Sequence, residues 1–164
     1  MIGIAPLTSK LPGVHFVYVT GDAYFEQTRE AIRAKLGAMN NHLHIVPYVH
    51  NMPEVLAATS LIVNRAGASF LAEITSLGIP SVLIPSPNVT NNHQEANARQ
   101  LEDAGASRMI LEKDLTAELL FSKLEEIMTD SSVREAMSAA ASRLGKPDSA
   151  AAITEEIRRL TGKR

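Results

Sequence analysis

The sequence predicts an α/β fold in which a parallel sheet is covered by helices on both faces. Three observations carry that prediction: short, nearly continuous apolar runs, helix-period stretches placed between them, and small or polar turns where each run ends. Strands that are apolar without alternation are expected to be buried on both faces, and strands separated by helical crossovers run parallel.

In chain order, VHFVYV (14–19) is the first strand and a helix follows over 23–36. HIVPYV (44–49) is the second, with a short helix over 52–58 behind it. SLIVN (60–64) and SVLIP (81–85) bracket a helix over 69–77, on which Phe70, Leu71, Ile74 and Leu77 form the core-facing stripe. A helix over 91–104 leads to the last strand, SRMIL (107–111). Asn91 or Asn92 is placed to cap that helix, with Gln94 or Glu95 completing a capping box. Beyond Lys113 the pattern is helical, over 115–128, 131–143 and 148–161. No repeat, low-complexity tract or linker interrupts the 164 residues, so 1–164 is read as one domain. If VHFVYV lies at an open sheet edge it can pair with another copy, which makes a homodimer an expectation.

Composition narrows the function classes. A net charge of −2 offers no drive toward nucleic acid or an anionic membrane surface, and the Lys163-Arg164 end is too short for a basic tail. The absence of cysteine excludes disulfides and thiolate metal sites and is compatible with the cytoplasm. No stretch approaches the roughly 18 apolar residues of a membrane span, which leaves a soluble or peripheral protein. His15, His42 and His44 fall in or beside strand patterns and read as structural or exposed, while His50 sits on a loop.

In an open parallel sheet, ligands bind where the carboxyl ends of the strands, the following loops and the helix N-termini collect. The Arg65-Ala66-Gly67-Ala68-Ser69 turn opens a helix whose first amides have no internal partners and can donate to phosphate oxygens with help from the helix dipole. A tight strand-to-helix turn is the plainer explanation of Gly67. Ser69 and Glu73, four residues apart, share the polar margin of that helix. One turn beyond a phosphate, the Glu73 carboxylate can accept hydrogen bonds from a ribose diol, a solvated surface glutamate being the plainer alternative. The second polar run, SPNVTNNHQEANARQ (86–100), supplies neutral donors and acceptors of the kind that read sugar hydroxyls and an acetamido group.

Residues 51–116, with R-A-G-A, the helix glutamate, P-S-V-L-I-P and N-N-H-Q-E-x-N-A in that order, closely resemble the C-terminal domain of the MurG family; FVYVTGD and IVPYVHNMPEVL fit it too. These bacterial glycosyltransferases move N-acetylglucosamine from UDP-GlcNAc onto undecaprenyl-diphospho-muramoyl-pentapeptide in peptidoglycan synthesis for the cell wall. The resemblance implies a Rossmann-like three-layer domain, the donor-binding half of a GT-B fold, at the cytoplasmic face of the plasma membrane in the complete enzyme. It implies that Glu73 binds the donor ribose and that His93 and Gln94 lie near the donor sugar. Val49 matches the position whose backbone meets uracil, and Arg65, Ala66, Gly67 and Ala68 match the glycine turn beside the nucleotide. Ser69 and Phe70 match the phosphate-side pair. The second of these is usually threonine, so any phosphate contact at Phe70 falls to its backbone amide.

The resemblance also implies a strand and glycine-rich loop ahead of residue 14, which MIGIAPLTSKLPG does not carry, so the domain is expected to be truncated at its first strand. Only the C-terminal half is matched, and the acceptor-binding domain, with its catalytic base and membrane contact, is expected to be a missing partner. No catalytic residue, metal or cofactor is assigned here, the donor being a substrate. A chain inactive by itself, a split-enzyme subunit and a non-catalytic UDP-sugar binder are the readings this leaves.

Overall fold

The computed structural model describes residues 2–37 and 41–162; Lys163 and Arg164 lie outside them. The elements alternate as β1 (Phe16–Val19), α1 (Phe25–Leu36), β2 (Leu43–Val46), α2 (Met52–Ala57), β3 (Ile62–Asn64), α3 (Ala68–Ser76), β4 (Ser81–Leu83), α4 (His93–Asp103) and β5 (Ser107–Met109). Three helices close the chain: α5 (Ala117–Thr129), α6 (Ser131–Leu144) and α7 (Ser149–Thr161). Each predicted element is present, but the strands are shorter than their apolar runs. β2 stops before Pro47 and β4 before Pro85, because proline has no N–H to give a ladder.

All strand pairs are parallel, as expected. The strands divide between two sheets: β1 pairs with β2, while β3, β4 and β5 form a separate sheet in that order. β1 and β3 border a common cavity of about 740 Å³ instead of bonding to each other.

Strand β4 is buried along its whole length. Its successive side chains take opposite faces, as the two-residue period of a strand requires. Leu83 joins the cluster of Leu71 and Ile74 from α3 and Ala98 and Leu101 from α4. Val82 joins Leu120, Phe121, Leu124 and Ile127 from α5. Burial of such a side chain contributes about 1.5–3 kcal/mol, so this strand ties both helical layers together. α5 starts from Thr116, whose side chain accepts from the Leu119 N–H, and α6 from Asp130, which accepts from Ser132 and Val133.

Burial on both faces, expected of most of the strands, fails at β1. Val17 and Val19 are 50% and 42% exposed, because the core of that sheet gathers on the other side, where Ile32 of α1 meets Leu43, Phe16 and Tyr18. Leu77 also departs from its expected core position and is 53% exposed. α3 has ended by then, and the chain reverses at Gly78, φ +66°. Ile79 folds back to donate to the Ile74 carbonyl at 2.9 Å and fills the core in its place. Ile153, Ile157 and Leu160 lie along one side of α7 and all are exposed. Among the described residues no helix is long and apolar enough to cross a membrane.

The end of α6 packs against the end of α3 at Gly145, where a Cβ would come within 2.6 Å of the Thr75 carbonyl oxygen and 2.8 Å of the Ser76 Cα. Both neighbours are backbone and cannot swing aside. Gly145→Ala is therefore expected to lower stability by about 1–3 kcal/mol, read as a lower urea midpoint; an unchanged midpoint would show that the helices do not approach so closely.

Candidate functional site

The register of the larger sheet sets Asn64, Leu83 and Met109 side by side at its carboxyl edge, so the three following loops meet there. Arg65 joins them. Its Nη1 donates to Glu112 Oε2 at 2.7 Å and Nη2 to Oε1 at 3.3 Å, and Nη1 also reaches the Ile84 carbonyl at 3.2 Å. The two-pronged contact holds the Glu112 carboxyl below the ordinary glutamate range, chiefly through the hydrogen bond from Arg65. Asn97 of α4 donates to the Ala66 carbonyl at 3.1 Å and pins the turn from the other side. Glu112 lies outside the sequence motifs and Asn97 enters them only as the last asparagine of N-N-H-Q-E-x-N-A; no local pattern assigns either contact, since each partner lies more than thirty residues away.

Gly67 is the N-cap of α3, and no side chain caps this end and no acid occupies the first turn. The Leu71 N–H is the one that bonds back to the Gly67 carbonyl, at 3.0 Å, which leaves the amides of Ala68, Ser69 and Phe70 ahead of the helical ladder. The turn does not itself require glycine. Its φ of −73° is open to any residue, and a Cβ added there would meet nothing within 4 Å. What glycine supplies is open space before the helix amides. Ser69 and Glu73 are both exposed, as their four-residue spacing predicts. Phe70 is half-buried against the core and lines the 740 Å³ cavity together with Val49 and Asn64.

The loop after β4 is held by side chains whose polar groups are already assigned. Gln94 Oε1 accepts the Ser86 N–H at 2.9 Å, which points the donor end of its amide away from that contact. His93 Nδ1 lies 2.8 Å from the Thr90 carbonyl. A carbonyl oxygen only accepts, so Nδ1 carries the proton in this contact and Nε2 of the exposed ring is left for another partner. The expected capping box is corrected. Asn91 and Asn92 have φ of +54° and +50°, a left-handed conformation that asparagine tolerates. Asn92 donates its amide to Glu95 Oε2 at 2.7 Å instead of accepting from the helix. Glu95 also takes Arg99 at 2.7 Å, and these contacts, Asn92 first, lower its carboxyl below the ordinary range.

Among the remaining histidines, His15 and His44 stack at 5.4 Å, with Nδ1 3.1 Å from Nε2, and His42 packs edge-on to His15 at 5.2 Å. His50 meets Tyr48 at 5.0 Å. Among the described residues no group of three or more His, Asp or Glu side chains is placed to hold a metal ion. The positions singled out from sequence thus fall into three places: Arg65, Ala66, Gly67, Ala68, Ser69 and Glu73 at the β3–α3 junction, His93 and Gln94 at the start of α4, and Val49 and Phe70 on the cavity wall.

Residues 5–153 match the glycosyltransferase family 28 C-terminal domain. Over 147 residues the chain is 52% identical to UDP-N-acetylglucosamine--N-acetylmuramyl-(pentapeptide) pyrophosphoryl-undecaprenol N-acetylglucosamine transferase 2 of Bacillus thuringiensis (strain Al Hakam), covering 90% of this chain and 40% of that one. It is 48% identical over 134 residues to the transferase of the same description from Oenococcus oeni, covering 82% and 36%. The chain therefore spans about 40% of the length of the curated relatives it matches. The crystal structure of Acinetobacter baumannii MurG superposes with a TM-score of 0.75 at 25% identity, covering 87% of this chain and 42% of that one. A putative UDP-N-acetylglucosamine 2-epimerase from Listeria monocytogenes shares the fold, with a TM-score of 0.74 at 16% identity, covering 99% and 40%.

The Arg65–Glu112 pair has a defined pH signature. Because the Glu112 pKa is lowered in the folded chain, its contribution to stability is present above the ordinary glutamate pKa and is lost as pH falls through the depressed value. In Arg65→Met the side-chain carboxyl resonance of Glu112, followed by NMR, is expected to titrate at higher pH than in the parent. Identical titration curves would show that the pair does not form.

Proposed function

The chain belongs to the glycosyltransferase family 28 C-terminal domain family, and on that premise we propose that it is the donor-binding domain of a MurG-like N-acetylglucosaminyltransferase acting on lipid-linked N-acetylmuramyl-pentapeptide. The observation that carries the reading is the uncapped N-terminus of α3 behind Gly67, with open space before it and Glu73 one turn further on. The names of relatives 48–52% identical supply the sugar and the acceptor.

In this reading the UDP diphosphate lies against the amides of Ala68, Ser69 and Phe70, which need no side-chain hydroxyl at position 70. Glu73 accepts from the ribose hydroxyls, the Val49 backbone meets uracil, and His93 Nε2 and the Gln94 amide address N-acetylglucosamine. Arg65 acts through its bond to Glu112, holding the loops after β3 and β5 in place. During transfer the acceptor muramoyl hydroxyl attacks the anomeric carbon as the bond from that carbon to the diphosphate oxygen breaks, with inversion. Negative charge grows on the departing UDP, and amides fixed beforehand at a helix N-terminus stabilise it without reorganising. The base that takes the hydroxyl proton belongs to the acceptor-binding domain, and the lipid acceptor places the complete enzyme at the cytoplasmic face of the plasma membrane. No metal step is required.

Calorimetric titration with UDP-N-acetylglucosamine and with UDP tests this directly. Glu73→Ala is expected to weaken both by about tenfold or more, the scale of hydrogen bonds lost to a charged acceptor. Gly67→Val is expected to bind UDP at least about tenfold more weakly by masking the amides, with no more than the modest drop in urea midpoint that an apolar residue at an N-cap brings. A parent chain that takes up neither ligand sinks the proposal.

A further inference from the structure

The register of the two-stranded sheet gathers histidines on its open face. Phe16 pairs with Leu43 and Val17 with His44, and successive side chains of a strand take opposite faces. Phe16, Tyr18, Leu43 and Ile45 pack with Ile32 of α1, so His15, Val17, His42 and His44 share the other face, where the three rings meet. That face is open to solvent: Val17 is 50% exposed, and His15 and His44 are exposed beside it. His15 Nδ1 and His44 Nε2 lie 3.1 Å apart, so one of the two nitrogens carries the proton of this contact and the other accepts it. His15 directly precedes β1 and His44 is the second residue of β2. The pair therefore stands at the amino ends of these strands, away from the carboxyl ends where the nucleotide is proposed to bind.

We propose that His15 and His44 form a two-imidazole site for a borderline divalent metal ion, Zn²⁺ or Cu²⁺, that bridges β1 and β2 with water completing its coordination. Two nitrogens held by one tetrahedral ion at about 2.0–2.1 Å each lie roughly 3.3–3.4 Å apart. The observed 3.1 Å therefore opens to that spacing by a small turn of two exposed rings, which also aims both lone pairs at the ion. The exchange conserves protons. The hydrogen between the rings moves to the outer nitrogen of its own ring, Nε2 of His15 or Nδ1 of His44, and both inner nitrogens are left with lone pairs for the metal. Neutral imidazole favours zinc and copper over magnesium and calcium, which take oxygen ligands. Among the described residues no three such side chains are placed to share an ion, so the site has two protein ligands and its remaining positions open to solvent. An ion that ties two strands binds the folded ladder in preference to the open chain, and so stabilises the smaller sheet. The proposal does not rest on nucleotide binding.

Calorimetric titration of the full chain with Zn²⁺, alongside NMR of the histidine ring resonances, tests this. Saturable uptake of one ion per chain is expected, with shifts at the His15 and His44 rings, a higher urea midpoint in Zn²⁺ and no response to Mg²⁺. His15→Gln and His44→Gln are each expected to weaken uptake at least about tenfold, since even a partner that only orients a metal ligand is worth about 10–100-fold. His50→Gln, on the loop after β2, should retain it. The ring shifts of the parent report on the site without any substitution, so they decide the matter even if a variant folds poorly. Absence of Zn²⁺ uptake, undiminished uptake by either the His15 or the His44 variant, or shifts confined to His50 and His93 would overturn the proposal. No nucleotide enters the assay, so a failure of UDP binding leaves this result intact.

Discussion

The burial of β4 is the constraint on which the other elements depend. A strand with both faces covered must divide its side chains between two cores. Val82 therefore commits α5 to one side and Leu83 commits α3 and α4 to the other. That division sets the depth at which β3 and β5 lie beside it, and their register brings Asn64, Leu83 and Met109 into line. The loops that could hold a ligand start from this line, so the polar edge inherits its geometry from an apolar strand.

Electrostatics at that edge suit an anion better than the residue list suggests. Two of its carboxylates are spoken for, Glu112 by Arg65 and Glu95 by Arg99 and Asn92. Both are held ionised by donors already in contact, which balances charge that would repel a diphosphate. The amides at the start of α3 have no cap and no acid beside them. Glu73 stands one turn away, exposed on the same margin as Ser69. Arg65, in the turn itself, bonds to Glu112 and to the Ile84 carbonyl, so in the proposed function the charge of a leaving diphosphate falls to backbone amides.

The divided sheet connects this edge to the cleft, the cavity between β1 and β3. Chain order runs outward from the cleft on both sides, β1 then β2 in one direction and β3, β4 and β5 in the other. That is the arrangement of a doubly wound sheet about its switch point. Phe70 and Val49 belong to both features, since they line the cleft and flank the proposed nucleotide site. The cleft and the proposed nucleotide site thus share a wall.

Much of this was readable from the sequence because it is local. Periodicity placed the α-helices of the described residues within a few residues of where they lie, and the Ser69–Glu73 spacing put both side chains on one exposed margin. The errors arose where distant residues decide. Leu77 lost its core position to Ile79 because a reversal at Gly78 offered a better-placed apolar side chain. Asn92 gave up capping because its amide found Glu95. The Arg65–Glu112 bond, the tie from Asn97 to Ala66 and the gap between β1 and β3 join elements that no short window spans. By itself the sequence determined which segments become strands and helices and where a small strand-to-helix turn opens α3, because backbone preference and amphipathic period act over a few residues. The tertiary structure alone decided which charges are neutralised and which strand edges stay unpaired, because those outcomes depend on the packing of segments far apart in the chain.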